Sequence, residues 1–208
     1  MLSNNKFLER LRRGASVAAA ALTVALTGCA THYVDGATKE ISASQFRKPA
    51  TPQPVQLVFE FQTKGVANAN ATQQLKAQVL QRVKDSGLFS SVDEKPVPSG
   101  SLLSLKLNNV VLTDDAFSKG FATGLTFGLA GSQVSDGYIC TVSYFGNGQG
   151  APVTKTARHA IHTTLGAAKS PGNAEKAASI QEAVTKMTSQ IVSTALNDLS
   201  QDPAFVAR

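Results

Sequence analysis

Between residues 55 and 62 apolar and polar side chains alternate: Val55, Leu57, Phe59 and Phe61 are separated by Gln56, Glu60 and Gln62, with Val58 the exception. A period of two puts the apolar set on one face of a strand, against a core. The period then lengthens. From about Ala71 to Ser86, Leu75, Val79 and Val83 recur at four-residue steps with Leu80 beside them, which predicts a helix. Asn70 and Gln73 have the spacing of a capping box at its start, and Gly87 suits its end. Leu88, Phe89 and Val92 bring apolar residues back as a short edge strand, and residues 93 to 100, with Pro96 and Pro98, read as loop. Leu103, Leu105 and Leu107 then share one face of a strand over Ser101 to Thr113. Beyond Asn108-Asn109 the apolar positions shift to Val110 and Leu112, which predicts a bulge at the two asparagines. Tyr138–Phe145 and Val153–Thr163 form a hairpin across Gly146-Asn147-Gly148.

The last element predicted is the longest. Pro171 and a capping Asn173 precede a helix over Ala174 to Leu199, in which Ala177, Ile180, Val184, Met187, Ile191, Ala195 and Leu199 form one stripe. A coiled-coil seam would want charges flanking that stripe, and the opposite face has few, so packing on the core is favoured. The order of elements predicts an α+β two-layer sandwich: a mostly antiparallel sheet of about four strands, with two helices on one face.

Residues 117 to 135 fit neither period well. Gly120, Gly124 and Gly128 recur every four residues, as do Phe117, Phe121, Leu125 and Leu129, and no charge occurs from Gly120 to Ser135. On a helix this gives a smooth face beside an apolar one. The spacing resembles a glycine zipper, in which close backbone approach lets helices pack in lipid or in a homo-oligomer. Each glycine weakens a lone helix in water by about 1 kcal/mol relative to alanine, so a helix here needs a partner. The other reading is a glycine-rich loop folded over the domain's own sheet.

The N-terminus has its own pattern. Lys6, Arg10, Arg12 and Arg13 form a basic head, and Gly14 to Gly28 is uncharged and mostly Ala, Val and Leu, too short for the roughly 20 residues of a membrane-spanning helix. Leu26-Thr27-Gly28-Cys29 ends the run and resembles the lipobox of bacterial lipoprotein precursors. The resemblance implies a signal peptide over residues 1–28, cleavage between Gly28 and Cys29, and lipid on the Cys29 sulfur and on the new amino terminus. Acyl chains contribute about 0.8 kcal/mol per buried methylene, so two or three anchor a protein to a membrane stably. Ala30, where inner-membrane lipoproteins tend to carry Asp, implies the outer rather than the inner membrane, with the domain facing the periplasm. Residues 29–54 are polar, end in Pro49, Pro52 and Pro54, and read as a tether with a typical reach of roughly 25–30 Å. The folded domain is then 55–202.

Charge and cysteine content narrow the partners. Half of the formal charge of +6 lies in the leader, and the remainder shows no basic run or RNA-binding aromatic signature, so no nucleic-acid partner is expected. With Cys29 lipidated, Cys140 has no cysteine to pair with and is expected to be buried and inert. Gly-x-Ser-x-Gly, a P-loop and His-Glu-x-x-His are absent, and Gly146-Asn147-Gly148-Gln149-Gly150 lacks the strand-to-helix setting of a dinucleotide loop. His159 and His162, three apart on a strand, point to opposite faces and do not converge on a metal. Asp114, Asp115 and Asp136 bracket the glycine-rich stretch and read as solvated loop carboxylates. No cofactor, metal or catalytic residue is assigned.

In element order over residues 55–199 the domain loosely resembles auxiliary lipoproteins of ABC-type lipid transport systems and related small envelope lipoproteins. The expected function is therefore a non-catalytic interaction or assembly module of the cell envelope, with an envelope protein as partner. The alternative is a carrier of lipid or another apolar ligand, with a groove between helices and sheet and residues 117–135 as lid or membrane-docking element. Cys29 would carry the anchor. Phe117, Gly120, Phe121, Gly124, Leu125, Gly128 and Leu129 would carry docking.

Overall fold

The computed structural model describes residues 30–112, 133–147, 151–166 and 172–207. An eight-stranded mixed sheet forms one layer, and helices α1 (Ala69–Asp85) and α2 (Ile180–Ser200) pack on one of its faces. The strands are β1 (Ala30–Val34), β2 (Val55–Thr63), β3 (Val66–Ala67), β4 (Val92–Asp93), β5 (Leu102–Val111), β6 (Gln133–Phe145), β7 (Val153–Leu165) and β8 (Glu175–Ala177). Their order is β3-β2-β5-β6-β7-β1-β8, with β4 also on β2.

This corrects the expected sheet of about four mostly antiparallel strands. Strands β1, β3 and β8 have two to five residues each, too few for alternation to register, and the short edge strand expected at Leu88 to Val92 is reduced to β4. One long pair also runs the other way: β5 lies parallel to β2, with Leu57 opposite Leu103 and Phe61 opposite Leu107. Helix α1 supplies the crossover connection that parallel neighbours require. The expected bulge is absent as well. Asn108 and Asn109 stay in register with Ile139 and Tyr138, and their polar groups anchor the β2–β3 turn: Asn108 Oδ1 accepts from the Gly65 N–H at 2.9 Å, and the Asn109 carbonyl from the Lys64 N–H at 2.7 Å. Lys64 (φ 54°) and Gly65 (φ 80°) are both left-handed, the conformation of a tight two-residue hairpin turn. Val110 simply faces away from the helices.

The core follows the predicted alternation. Leu103, Leu105, Leu107, Cys140 and Val142 from the sheet meet Val79, Val83, Met187, Ile191 and Leu199 from the helices, all with no exposed surface. A last short helix, α3 (Pro203–Val206), brings Phe205 edge-on to Tyr144 at 5.0 Å and to Phe89 at 5.8 Å, closing the end of the sheet away from Ala30. Helix boundaries differ from the periodicity. Asn68, not Asn70, caps α1 by accepting from the Ala71 N–H at 3.0 Å. Ser179, not Asn173, caps α2 through the Glu182 N–H at 3.1 Å, because residues 175–177 are extended as β8 and Ala177 is buried there as a strand residue.

Candidate functional site

The segment after Cys29 is bound to the domain from its first residue. Ala30–Val34, expected within a tether, is a strand that pairs antiparallel with β7 on one side and β8 on the other, Ala30 lying opposite Leu165 and His32 opposite Ala177. The chain stays attached beyond it. The Asp35 N–H donates to the Ala160 carbonyl at 3.1 Å, the Thr38 hydroxyl to the Arg158 carbonyl at 2.9 Å, the Ile41 N–H to Ser193 Oγ at 2.9 Å and the Arg47 N–H to Ser200 Oγ at 3.2 Å. Phe46 is buried, and the Lys48 ammonium donates to the Ser86 carbonyl at the end of α1. A coil of that composition would otherwise reach well away from the fold; these bonds hold it against β7, α2 and the end of α1 instead.

A buried polar chain fixes β1 to the two long strands. His162 Nε2 lies 3.1 Å from Asp35 Oδ2, and His162 Nδ1 lies 2.8 Å from Ser135 Oγ. Because a carboxylate only accepts, Nε2 carries the hydrogen of the first bond. Both side chains of the His162–Asp35 pair have no exposed surface. Burial pushes the Asp35 carboxyl up, but the bonds from His162 and from the Ala37 N–H outweigh it and hold it below its ordinary value. Across the sheet, His159 points toward α2, where Nε2 lies 2.7 Å from Gln190 Oε1. The Ala160 N–H donates to Nδ1 at 2.8 Å, so Nε2 bears the hydrogen and the ring is a neutral donor. Burial lowers its pKa, with the Gln190 bond opposing in part.

Serine, histidine and aspartate in sequence are the components of a nucleophilic triad. A triad imidazole must also hand its proton to the leaving group, and so must touch substrate. His162 is wholly buried, and three surface clefts among the described residues, beside Phe46, Leu75 and Ala30, do not reach Ser135. The chain is a staple between β1, β6 and β7.

The structure places the residues singled out from sequence in several settings. His159 and His162 do lie on opposite faces, bonded to different partners. Cys140 is fully buried and its thiol is pushed up to about 12 by burial, as inertness requires. His32, expected in a tether, is in β1 with Nδ1 3.1 Å from Thr163 Oγ1. Asp136 is a β6 residue opposite Val111 and Ile161. Gln133–Ser135, assigned to the glycine-rich insertion, open β6. Gly28, Cys29, Asp114, Asp115, Phe117, Gly120, Phe121, Gly124, Leu125, Gly128 and Leu129 lie outside the described residues. Among the described residues, no three His, Cys, Asp or Glu side chains are grouped to hold a metal ion, and no helix is long and apolar enough to cross a membrane.

The three clefts differ in size and lining. One of about 410 Å³ lies between residues 40–46 and the two helices, bordered by Phe46, Arg82 and Leu196. A second, of about 450 Å³, runs between Leu75 of α1 and Ile180 and Val184 of α2. The third, of about 580 Å³, adjoins Ala30, Lys176 and Glu182. Between helices and sheet the space is filled by the core side chains, so the groove of the carrier reading is not open there.

No protein-family model matches the sequence, and no curated protein matches it. Among solved structures, the chain is similar to the PelC dodecamer of Paraburkholderia phytofirmans, with 13% identity over 83% of this chain and 97% of that one, at a TM-score of 0.37. It is also similar to the rare lipoprotein B of Shewanella oneidensis, with 12% identity over 75% of this chain and 100% of that one, at a TM-score of 0.39. Likeness at this distance carries no argument about function.

Proposed function

We propose that this chain is an outer-membrane lipoprotein, anchored through Cys29, whose α+β domain is a non-catalytic interaction module on the periplasmic side of the cell envelope. The observation that carries the reading is the Leu26-Thr27-Gly28-Cys29 sequence after a basic head and an uncharged run. The residues just beyond the cysteine add a mechanical point: β1 begins at Ala30, so an anchor at Cys29 holds the folded body at the membrane rather than on a leash. Confinement to a surface raises the effective concentration of the domain toward partners in the same layer, as linkage does for tandem modules. The glycine-rich stretch with Phe117, Gly120, Phe121, Gly124, Leu125, Gly128 and Leu129 is proposed as the element that meets lipid, an envelope protein or a second copy.

Growth with an alkyne fatty acid, followed by fractionation, tests the anchor. The parent should be labelled and sediment with outer membranes, whereas Cys29→Ser should be unlabelled and retain its leader. Equal labelling of the two proteins defeats the proposal. A photocross-linker at Leu125 then identifies what that residue meets.

A further inference from the structure

We infer that the rim of the sheet at Ala30 is a lipid-contacting surface, so that the domain stands on the bilayer with the first residue of β1, the last of β7 and the start of β6 facing it. This rests on the anchored-lipoprotein reading and adds an orientation to it.

Topology brings the relevant residues together. Ala30 lies opposite Leu165, and Val134 lies opposite Thr163, two residues along β7 from Leu165. All three point to the helix-covered side, because Val34 and Ile161, an even number of residues away on their strands, are in the core. Diagonal neighbours across a strand pair are about 7–8 Å apart, within reach of side-chain contact. The three form an apolar row over adjacent strands. Ile180 opens α2 at the same end of the sheet, since Ala177 lies opposite His32 and the chain then runs back toward Ala30; its side chain borders the cleft with Leu75 and Val184.

That rim should be covered if it matched the rest of the sheet. Yet Val134 is 57% exposed, Leu165 47% and Ile180 38%, three of the five large apolar side chains exposed among the described residues. In a soluble domain scattered exposed valines need no explanation, but a contiguous set marks a contact surface. The chain itself indicates the occupant. Cys29, where the acyl chains would attach, is one residue from Ala30, so the lipid must meet the protein at this rim. The uncharged part of the insertion also rejoins the fold here, at Gln133, which pairs with Thr164. The carboxylate bordering the adjacent cleft, Glu182, is exposed and accepts from the Ala178 N–H at 2.8 Å.

The sequence contains no tryptophan, so a single introduced one reports its own surroundings. Leu165→Trp, Val134→Trp and, at the far end of the sheet beyond β4, Lys95→Trp would be made in the lipidated protein and reconstituted into phosphatidylethanolamine/phosphatidylglycerol vesicles. Some of the lipid would be brominated high on the acyl chain. A surface seated about 5–10 Å into the interface meets that depth. The expected result is at least about twofold more quenching at positions 165 and 134 than at position 95. Either rim variant suffices if the other disturbs folding, which circular dichroism would reveal. Quenching equal at all three positions, or shielding of 165 and 134 from aqueous iodide without bromolipid quenching, overturns the orientation and assigns the rim to solvent or to protein. Vesicle binding by a form lacking residues 1–29, and so both leader and lipid, equal to that of the parent instead overturns the anchor reading.

Discussion

Replacing His159 with Gln separates the cost of keeping a buried imidazole neutral from every other source of acid sensitivity. In the fold, burial holds the His159 pKa below 6.5, its ordinary value, while the Gln190 bond and the charge of Asp35 oppose this and His162 reinforces it. As pH falls, the unfolded chain therefore binds this proton before the folded one, and stability is lost through the region of the unfolded value. The loss from this group between pH 7.5 and 5.5 is bounded above by about 1.4 kcal/mol, the worth of one proton over about one pH unit below 6.5. Asp35 has the same sign, with its depressed pKa, but its contribution is lost only as pH falls through carboxylate values, so it does not enter this window. Gln places an N–H donor near the position of Nε2, so the bond to Gln190 Oε1 survives. Urea unfolding of an unlipidated Cys29→Ser form at the two pH values would measure the loss, with and without His159→Gln. His162 and His32 are common to both proteins and cancel. The parent should lose more than the variant, by at most about 1.4 kcal/mol. An identical loss in both would refute the assignment of His159 as a buried neutral donor.

Two further outcomes test the fold around this region. A Cβ on Gly36 would lie 1.9 Å from the Asn173 carbonyl oxygen, so Gly36→Ala must push the chain after β1 away from the segment leading to β8; a loss of about 1–3 kcal/mol is expected in the same urea assay, and an unchanged midpoint would mean the two segments do not touch. Cys140, buried with its thiol pushed up to about 12, should react with a disulfide reagent in the Cys29→Ser form only at the rate of unfolding, and fast labelling of native protein would contradict its burial.

The strands legible in the sequence are those with one wet face. Val55 to Phe61 and Leu103 to Leu107 alternate because one side meets the helices and the other does not. The same alternation suggested antiparallel neighbours, and nothing local distinguishes that from the parallel pairing the α1 crossover imposes. Ala30–Val34 was illegible for a different reason. Its burial comes from β7 and β8, more than a hundred residues on, and Thr31, His32 and Tyr33 only look strand-like once those partners are present. The Ser135–His162–Asp35 staple has the same origin: each residue is ordinary alone, and Asp35 is 127 positions from the histidine it bonds. Ala177 fell on the helical stripe by spacing, yet the extended run before Ser179 hands it to the sheet edge. Of the proposed functional residues, Cys29 is offered by a local stretch that resembles a lipobox. The rim of Ala30, Val134, Leu165 and Ile180 could not be read in this way, since it exists only after four distant segments meet.

On the anchored-lipoprotein reading, the insertion of β1 between β7 and β8 also sets an order of events during export. The first strand to emerge on the far side of a membrane has no neighbour until the segments around Leu165 and Ala177 have come through after it, so the sheet closes only near the end of translocation. Contacts that span most of the chain slow folding, because loop closure precedes any reward from pairing. The polypeptide would thus be moored at its head while its seam stays open, and the final third must arrive before the body can zip shut.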